Sequence, residues 1–295
     1  MTMNYRHAFH AGNFADVVKH ATLARIVQHL KEKPAAFRVI DTHAGAGVYD
    51  LAGPEASRTV EWRDGIARLA AATLAPAVRG LLAPYLDAVA ALNGDALAVY
   101  PGSPALVQRW LRPQDRLIAC EREPGAAKAL AGNLRGDNRA KAVAIDGYTA
   151  LNAYVPPKER RGLVLIDPPF EQGDEHARLA HALAGAHRKW PTGIYALWYP
   201  IKDTRETESF ARRAAKLRGH QLADPLAPLS RPARLRAREI VQARARMGVD
   251  HPERRRFLLQ VRDDARERGV LDDVGEAPGV EGVAIVHRHI IQTSS

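Results

Sequence analysis

Five short apolar runs recur along the 295-residue chain, each stopping at a turn rich in charge, glycine or proline. They are FRVIDTHAGAG (37–47), DRLIACERE (115–123), KAVAIDG (141–147), GLVLIDPPF (162–170) and GIYALWYPI (193–201). Near-continuous runs of this length suit strands covered on both faces, the condition of a parallel sheet. The stretches between them, among them EPGAAKALAGNL (123–134), DEHARLAHALAGAHRKW (174–190) and RETESFARRAAKL (205–217), read as helices. Strand and helix in alternation predict a doubly wound α/β sheet.

One interval breaks this rhythm. About 65 residues separate GAG at 45–47 from the strand near 115, far more than one crossover helix needs. WRDGIARLAAATLAPAVRGLLAPYLDAVAALN (62–93) reads as two or three Ala/Leu-rich helices, so residues 48–103 are expected to form a helical insertion after the first strand. The displaced crossover helix then starts at GSPALVQRWL, with Ser103 as its N-cap and Pro104 at the first helical position. The resulting organisation is a sheet domain of residues 1–47 and 104–230, an inserted subdomain of residues 48–103, and a remainder of residues 231–295.

That remainder has a different character. All nine lysines lie at or before Lys216, whereas residues 231–268 hold 12 Arg against 6 acids and residues 269–295 one Arg against 4 acids. The region reads as Arg-rich and atypical, either a divergent tail or a shifted reading frame, and a missing strand there would leave a sheet edge open. The formal charge of +10 admits a polyanionic partner. A single cysteine, Cys120, excludes internal disulfides and fits a reducing compartment. No apolar run reaches membrane-spanning length and the first residues lack a secretory signal's apolar segment, so a cytoplasmic location is expected.

The turn DTHAGAGVY follows the first strand. Gly45 and Gly47 let the backbone come close to a ligand, but Asp50 occupies the third glycine position of the dinucleotide pattern and no G-K-[ST] is present. Such a turn suits a nucleoside cofactor without pyrophosphate, such as S-adenosylmethionine; a turn needed only for packing explains it equally well. Glu121, closing the second run, stands where ribose hydroxyls are commonly bound, and Asp146 after the third could accept from an adenine amino group. Each alone is an ordinary turn acid. Together with GAG they put three polar features at successive carboxyl ends of strands.

The fourth run ends in D-P-P-F. An exocyclic amino group is a poor nucleophile because its lone pair is delocalised into the ring. A carboxylate (Asp167) and a backbone carbonyl (Pro168) that accept from both amino hydrogens localise that lone pair, and Phe170 offers a face for a splayed-out base. A strand-terminating turn capped by Asp167 is the plain alternative. His7, His10, His20 and His43 gather early in the chain, but no cysteine or acid completes a zinc spacing, so no metal is expected. The aromatic and basic residues of NYRHAFHAGNFADVVKH suit contact with RNA or cofactor better, and an N-terminal segment packed before the helix FADVVKHATLARIVQHL is the plain alternative.

Taken together, YRHAFHAGNFADVVKH, DTHAGAGVY, YPGSP, RGLVLIDPPF and TGIYALWYP resemble the bacterial 23S ribosomal RNA adenine-N6 methyltransferases of the RlmJ type. The resemblance runs in order over about residues 1–201 and fades near LAPLSRPARL (227–235). It implies a class I, S-adenosylmethionine-dependent Rossmann-like fold with a small helical insertion. It implies cofactor contacts at His20, His43, Ser103, Glu121, Asp146, Gly147 and Asp167, catalysis at Asp167, and a substrate-handling role for Tyr5. Phe170 stands where the family often has tyrosine, keeping the ring and losing a hydroxyl. The expected substrate is naked or partly assembled 23S rRNA, acted on by a monomer. A DNA adenine methyltransferase and a catalytically impaired RNA-binding assembly factor are the competing readings.

Overall fold

The computed structural model describes residues 6–94, 96–170, 175–201 and 280–286. Helix α1 (Phe14–Lys31) leads into β1 (Arg38–Asp41), followed by β2 (Val48–Asp50), α2 (Pro54–Thr59), a π turn over Arg63–Ala67 that runs into α3 (Arg68–Ala70), α4 (Pro76–Ala90) and β3 (Val99–Pro101). Then α5 (Ser103–Trp110), β4 (Arg116–Glu121), α6 (Pro124–Asn133), β5 (Ala140–Ala144), α7 (Gly147–Tyr154), β6 (Gly162–Ile166), α8 (Glu175–Lys189) and β7 (Ile194–Ile201) alternate, and β8 (Val280–Val286) comes last.

The main sheet has the order β5-β4-β1-β6-β7-β8. Every pairing is parallel except β7 with β8. The chain leaves β1 towards β4 and β5 on one side and returns to β6 and β7 on the other. The order therefore reverses at β1 and β6, where open α/β sheets form a ligand crevice at the carboxyl ends of their strands. The doubly wound α/β architecture is present.

Strand periodicity sorts the core into two layers. Val39, Leu117, Leu163, Leu165 and Ala196 join one apolar cluster with α1, α4 and α5. Their neighbours Ile40, Val164, Ile166, Tyr195 and Leu197 join a second cluster with α7 and α8. Both faces are covered, which is why the strands carry no polar alternation. The first cluster continues through Ile66, Leu69, Val78, Leu82 and Tyr85, so residues of the inserted stretch share the apolar layer of the sheet.

Two features depart from the expectations. The stretch read as a purely helical insertion begins and ends in an antiparallel ribbon, β2 with β3, that pairs Tyr49 with Tyr100. Three-residue strands carry too little period-2 pattern to stand out. The open edge feared beyond β7 is covered by β8, in a register from Tyr195↔Val286 to Ile201↔Val280. Tyr5, the helix expected over 205–217 and nearly all of residues 231–295 lie outside the described residues.

Candidate active site

Four acids stand at the carboxyl ends of four adjacent parallel strands: Asp146 after β5, Glu121 ending β4, Asp41 ending β1 and Asp167 after β6. The sequence pattern pointed to three of these. Asp41 was passed over, although FRVID closes on an acid in the same way as LIDPPF, and that recurrence was the available signal.

Glu121 is nearly buried, at 8% exposure. Its Oε2 accepts from the Gly45 amide at 2.9 Å and its Oε1 from the Glu123 amide at 2.7 Å. One carboxylate thus fixes the Gly45–Gly47 turn and the start of the β4–α6 connection together. Gly45 is held at φ +62°, the left-handed region where a side chain is strained. Asp146 is the N-cap of α7, its Oδ1 accepting from the Tyr148 and Thr149 amides at 3.1 and 3.0 Å. Its Oδ2 lies 3.8 Å from Arg122. Gly147 meets the β1 turn so closely that a Cβ there would sit 2.5 Å from both His43 Cε1 and the Thr42 carbonyl oxygen.

Asp41 is fully buried. Burial pushes its carboxyl up to about 7; Ser103 pulls it down by a hydrogen bond and the negative charge of Asp167 adds to the rise. Ser103 Oγ donates to Asp41 Oδ2 at 2.6 Å. This corrects the expected role of Ser103 as a cap. Gly102 is the N-cap of α5, anchored through its amide to Gly47 O at 2.8 Å, and Ser103 is the first helical residue, its hydroxyl spent on Asp41.

Asp167 is reached from α1. Lys19 Nζ lies 2.6 Å from Asp167 Oδ2 and 2.9 Å from Asp16 Oδ1. Asp16 Oδ2 in turn lies 2.9 Å from His7 Nε2 and accepts from the Gly12 amide at 2.9 Å. Burial works against the Asp16 charge, but His7, Lys19 and His20 outweigh it and hold the carboxyl well below the usual range. Neither Asp16 nor Lys19 was singled out in the sequence. Their trace is ADVVK, an acid and a base three apart on one helix face, both at positions that the core period assigns to the interior.

The histidines take separate partners. His20, 1% exposed, bonds through Nδ1 to Tyr100 Oη at 2.7 Å, and Tyr100 to Tyr85 Oη at 3.0 Å. Burial drops its pKa to about 3, leaving it neutral behind Lys19. His43 Nδ1 lies 2.8 Å from Thr42 Oγ1, and burial lowers its pKa to about 4 against the opposing pull of Asp167 and Asp146. His10 pairs with Glu61, which also accepts from the Asn13 side chain. No group of three His, Cys, Asp or Glu suited to a metal occurs among the described residues.

After β6, Pro168 is buried and Phe170 has φ +50°, a left-handed conformation that a bulky residue rarely adopts. Its ring is half-buried. It packs on the α8 side of the sheet, 5.0 Å from the His176 ring.

A family model described as "Ribosomal RNA large subunit methyltransferase D, RlmJ" matches residues 34–241. Two proteins named "Ribosomal RNA large subunit methyltransferase J" are similar. The one from Escherichia coli (strain K12) is 42% identical over 68% of this chain and 70% of its own length. The one from Haemophilus influenzae is 39% identical over 70% of this chain and 73% of its own. Among solved structures, protein LPL1258 from Legionella pneumophila superposes with a TM-score of 0.64 at 34% identity, over 70% of this chain and 76% of that one.

Proposed function

The chain belongs to the ribosomal RNA large subunit methyltransferase J family, and from that premise we propose that it methylates the N6 amino group of one adenine in 23S rRNA, using S-adenosylmethionine. The observation that carries the reading is the row of four strand-end acids, with Asp167 of D-P-P-F at the point where the strand order reverses.

The cofactor fits the donor set. A sulfonium nucleoside has ribose hydroxyls and an adenine amino group as donors and no pyrophosphate, and the crevice offers carboxylates with no triphosphate-binding glycine loop or lysine. Glu121, Asp146, His43, Ser103, Gly45, Gly47, Gly147 and Asp167 are the residues that would hold it, with His20 packed behind them. When bound, S-adenosylmethionine supplies an electrophilic methyl group.

The chain's own work is on the base. Lys19 occupies Asp167 Oδ2, which leaves Oδ1 to accept from one hydrogen of the adenine amino group. The Pro168 carbonyl accepts from the other. Both bonds localise the nitrogen lone pair, and Asp167 Oδ1 is the atom to hold the proton that nitrogen sheds. Phe170, half-buried beside His176, and Tyr5 are the residues assigned to handling the ring of the flipped base. The protein works as a cytoplasmic monomer on 23S rRNA that is naked or partly assembled. No helix among the described residues is long and apolar enough to cross a membrane.

The test is labelled methyl transfer to 23S rRNA fragments and to DNA, followed by nucleoside analysis. N6-methyladenosine in RNA alone is expected, and its loss in Asp167→Ala with cofactor binding largely retained. Label on DNA, or unimpaired turnover by Asp167→Ala, overturns the reading.

A further inference from the structure

We propose that the amino-terminal edge of the sheet, opposite the crevice, is a second binding surface for the phosphate backbone of the RNA. The inference rests on the ribosomal RNA reading above. Helices α1, α5, α6, α7 and α8 all return to this edge before β1, β4, β5, β6 and β7. The five connecting stretches, 31–38, 109–116, 134–141, 155–162 and 187–193, hold 14 Lys/Arg against 4 acids, a net +2 apiece. Their sum of +10 equals the formal charge of the whole chain.

The opposite edge has the other sign. Residues 41–47, 121–124, 144–147 and 167–170, the turns that line the crevice, are each net −1. Lys19 offsets one of these charges at Asp167, so among the described residues that edge is at most weakly negative and gives a polyanion no net attraction; strong backbone attraction has to come from elsewhere. Residues 202–279 are themselves net basic, with 18 Lys/Arg against 13 acids.

Helix dipoles explain part of the pattern, because all five helices point their carboxyl ends here and cations are favoured there. The structure separates that part from the rest. Arg112 donates to the carbonyls of Lys33 and Ala35, Arg161 to those of Ala35 and Leu30, Arg139 to that of Leu111, and Lys189 to that of Asn152. These cations are spent on the fold. Lys33, Arg109, Arg135, Lys158, Arg160 and Arg188 are exposed, and none pairs with an acid among the described residues.

The surface is also continuous. Arg139 ties its connection to residue 111, Arg112 ties the next to residues 33 and 35, Arg161 bonds Ala35, and the Trp190 indole donates to Arg160 O at 3.3 Å. The five connections follow sheet order in one row, roughly 19 Å long at ~4.8 Å per strand. A fixed row of unpaired cations on a rigid edge matches a chain of phosphates.

The experiment uses the full chain and a combined Lys33→Gln, Arg135→Gln, Arg160→Gln, Arg188→Gln variant, titrated with a 23S rRNA fragment over a range of salt. The variant is expected to bind at least about tenfold more weakly at moderate salt. Its log–log salt slope should be shallower by about 0.7 for each single-stranded phosphate that it no longer neutralises. Its thermal midpoint should stay close to the parent's, since none of the four side chains makes a hydrogen bond or ion pair among the described residues and only a helix-end charge effect is lost. A short oligonucleotide holding the target adenine, too short to reach round the sheet, should bind both proteins equally. An unchanged slope and affinity for the long fragment, or equal weakening on both RNAs, overturns the proposal. Methyl transfer by the parent is read separately. Its absence would refute the enzymatic reading while leaving an edge-dependent salt slope intact.

Discussion

Lys19 and Asp167, 148 residues apart in sequence, stand 2.6 Å from one another across the crevice. Lys19 also binds Asp16, so one ammonium is shared between a carboxylate of its own helix and the acid of D-P-P-F. Through Asp16 the arrangement extends to His7 and Gly12, and so couples the N-terminal segment to the proposed reacting end of β6. Truncating one member of a buried pair leaves its partner's charge uncompensated. Lys19→Met is therefore expected to reduce turnover by at least about tenfold. A variant that turns over as fast as the parent would detach Lys19 from the site.

Asp16 makes a second prediction, about stability. Its folded pKa is depressed, so the ionised form stabilises the fold above the unfolded value of about 3.9, and that contribution is lost as pH falls through the lower folded value. Urea unfolding of the parent should weaken steeply below about pH 4. Asp16→Asn should start less stable at neutral pH and show a flatter decline over the same window.

Asp41 runs in the opposite sense. Its folded value, about 7, lies above the unfolded one, so folding takes up a proton between these limits and stability falls as pH rises from about 4 to about 7. Asp41→Asn should remove that fall in the cofactor-free protein. Calorimetric midpoints measured across this range check it; an unaltered slope would mean that Asp41 is ionised throughout.

The legible parts of this molecule were those written in local pattern. Apolar runs located β1, β4, β5, β6 and β7, and three of the four crevice acids came with those that end in D or E. Long-range polar pairing was illegible for a physical reason. Lys19 and Asp167 meet because β6 pairs with β1 across the reversal of strand order, and Asp41 and Ser103 because the chain returns to the end of β1 after residues 48–102; nothing within a window of either residue carries the other. Ser103 shows how a sound local rule is overridden. A serine before proline is a good N-cap, but Gly102 already fills that place through its bond to Gly47, and the buried Asp41 carboxyl needs a donor. Strand β8 stayed hidden because residues 202–279 separate it in sequence from its partner β7.

Gly147 is expected to tolerate no side chain. The Thr42 carbonyl that a Cβ would meet at 2.5 Å is backbone, so relief requires moving the β1 turn or the start of α7. Gly147→Ala should cost about 1–3 kcal/mol by overpacking. It should weaken S-adenosylmethionine binding more than it weakens the fold, because the displaced turn is the one that carries His43 and Gly45. Titration calorimetry beside chemical unfolding separates the two effects.

The most discriminating substitution is Glu121→Gln, which keeps size and shape while removing the charge and replacing one acceptor oxygen by a donor. Each carboxylate oxygen now takes one backbone amide, Gly45 on Oε2 and Glu123 on Oε1. A glutamine has a single oxygen; its amide nitrogen would face one of those N–H groups as donor against donor. An unsatisfied buried amide costs about 1–3 kcal/mol, and which of the two amides is left decides the phenotype. If the Gly45 amide is left, the glycine turn shifts out of its φ +62° conformation and cofactor affinity falls by about tenfold or more, since 1.4 kcal/mol is a factor of ten. If the Glu123 amide is left, the change falls on the entry to α6 and affinity is nearly preserved. The ordered Gly45–Gly47 turn has further anchors in Gly102 and Asn133, which bond Gly47 O and Ala46 O, so the expected outcome is a measurable loss of affinity with the fold intact. Amide exchange at Gly45 and Glu123, followed beside cofactor titration, identifies which bond was broken; parental protection at both sites with parental affinity would show that Glu121 does not organise the crevice.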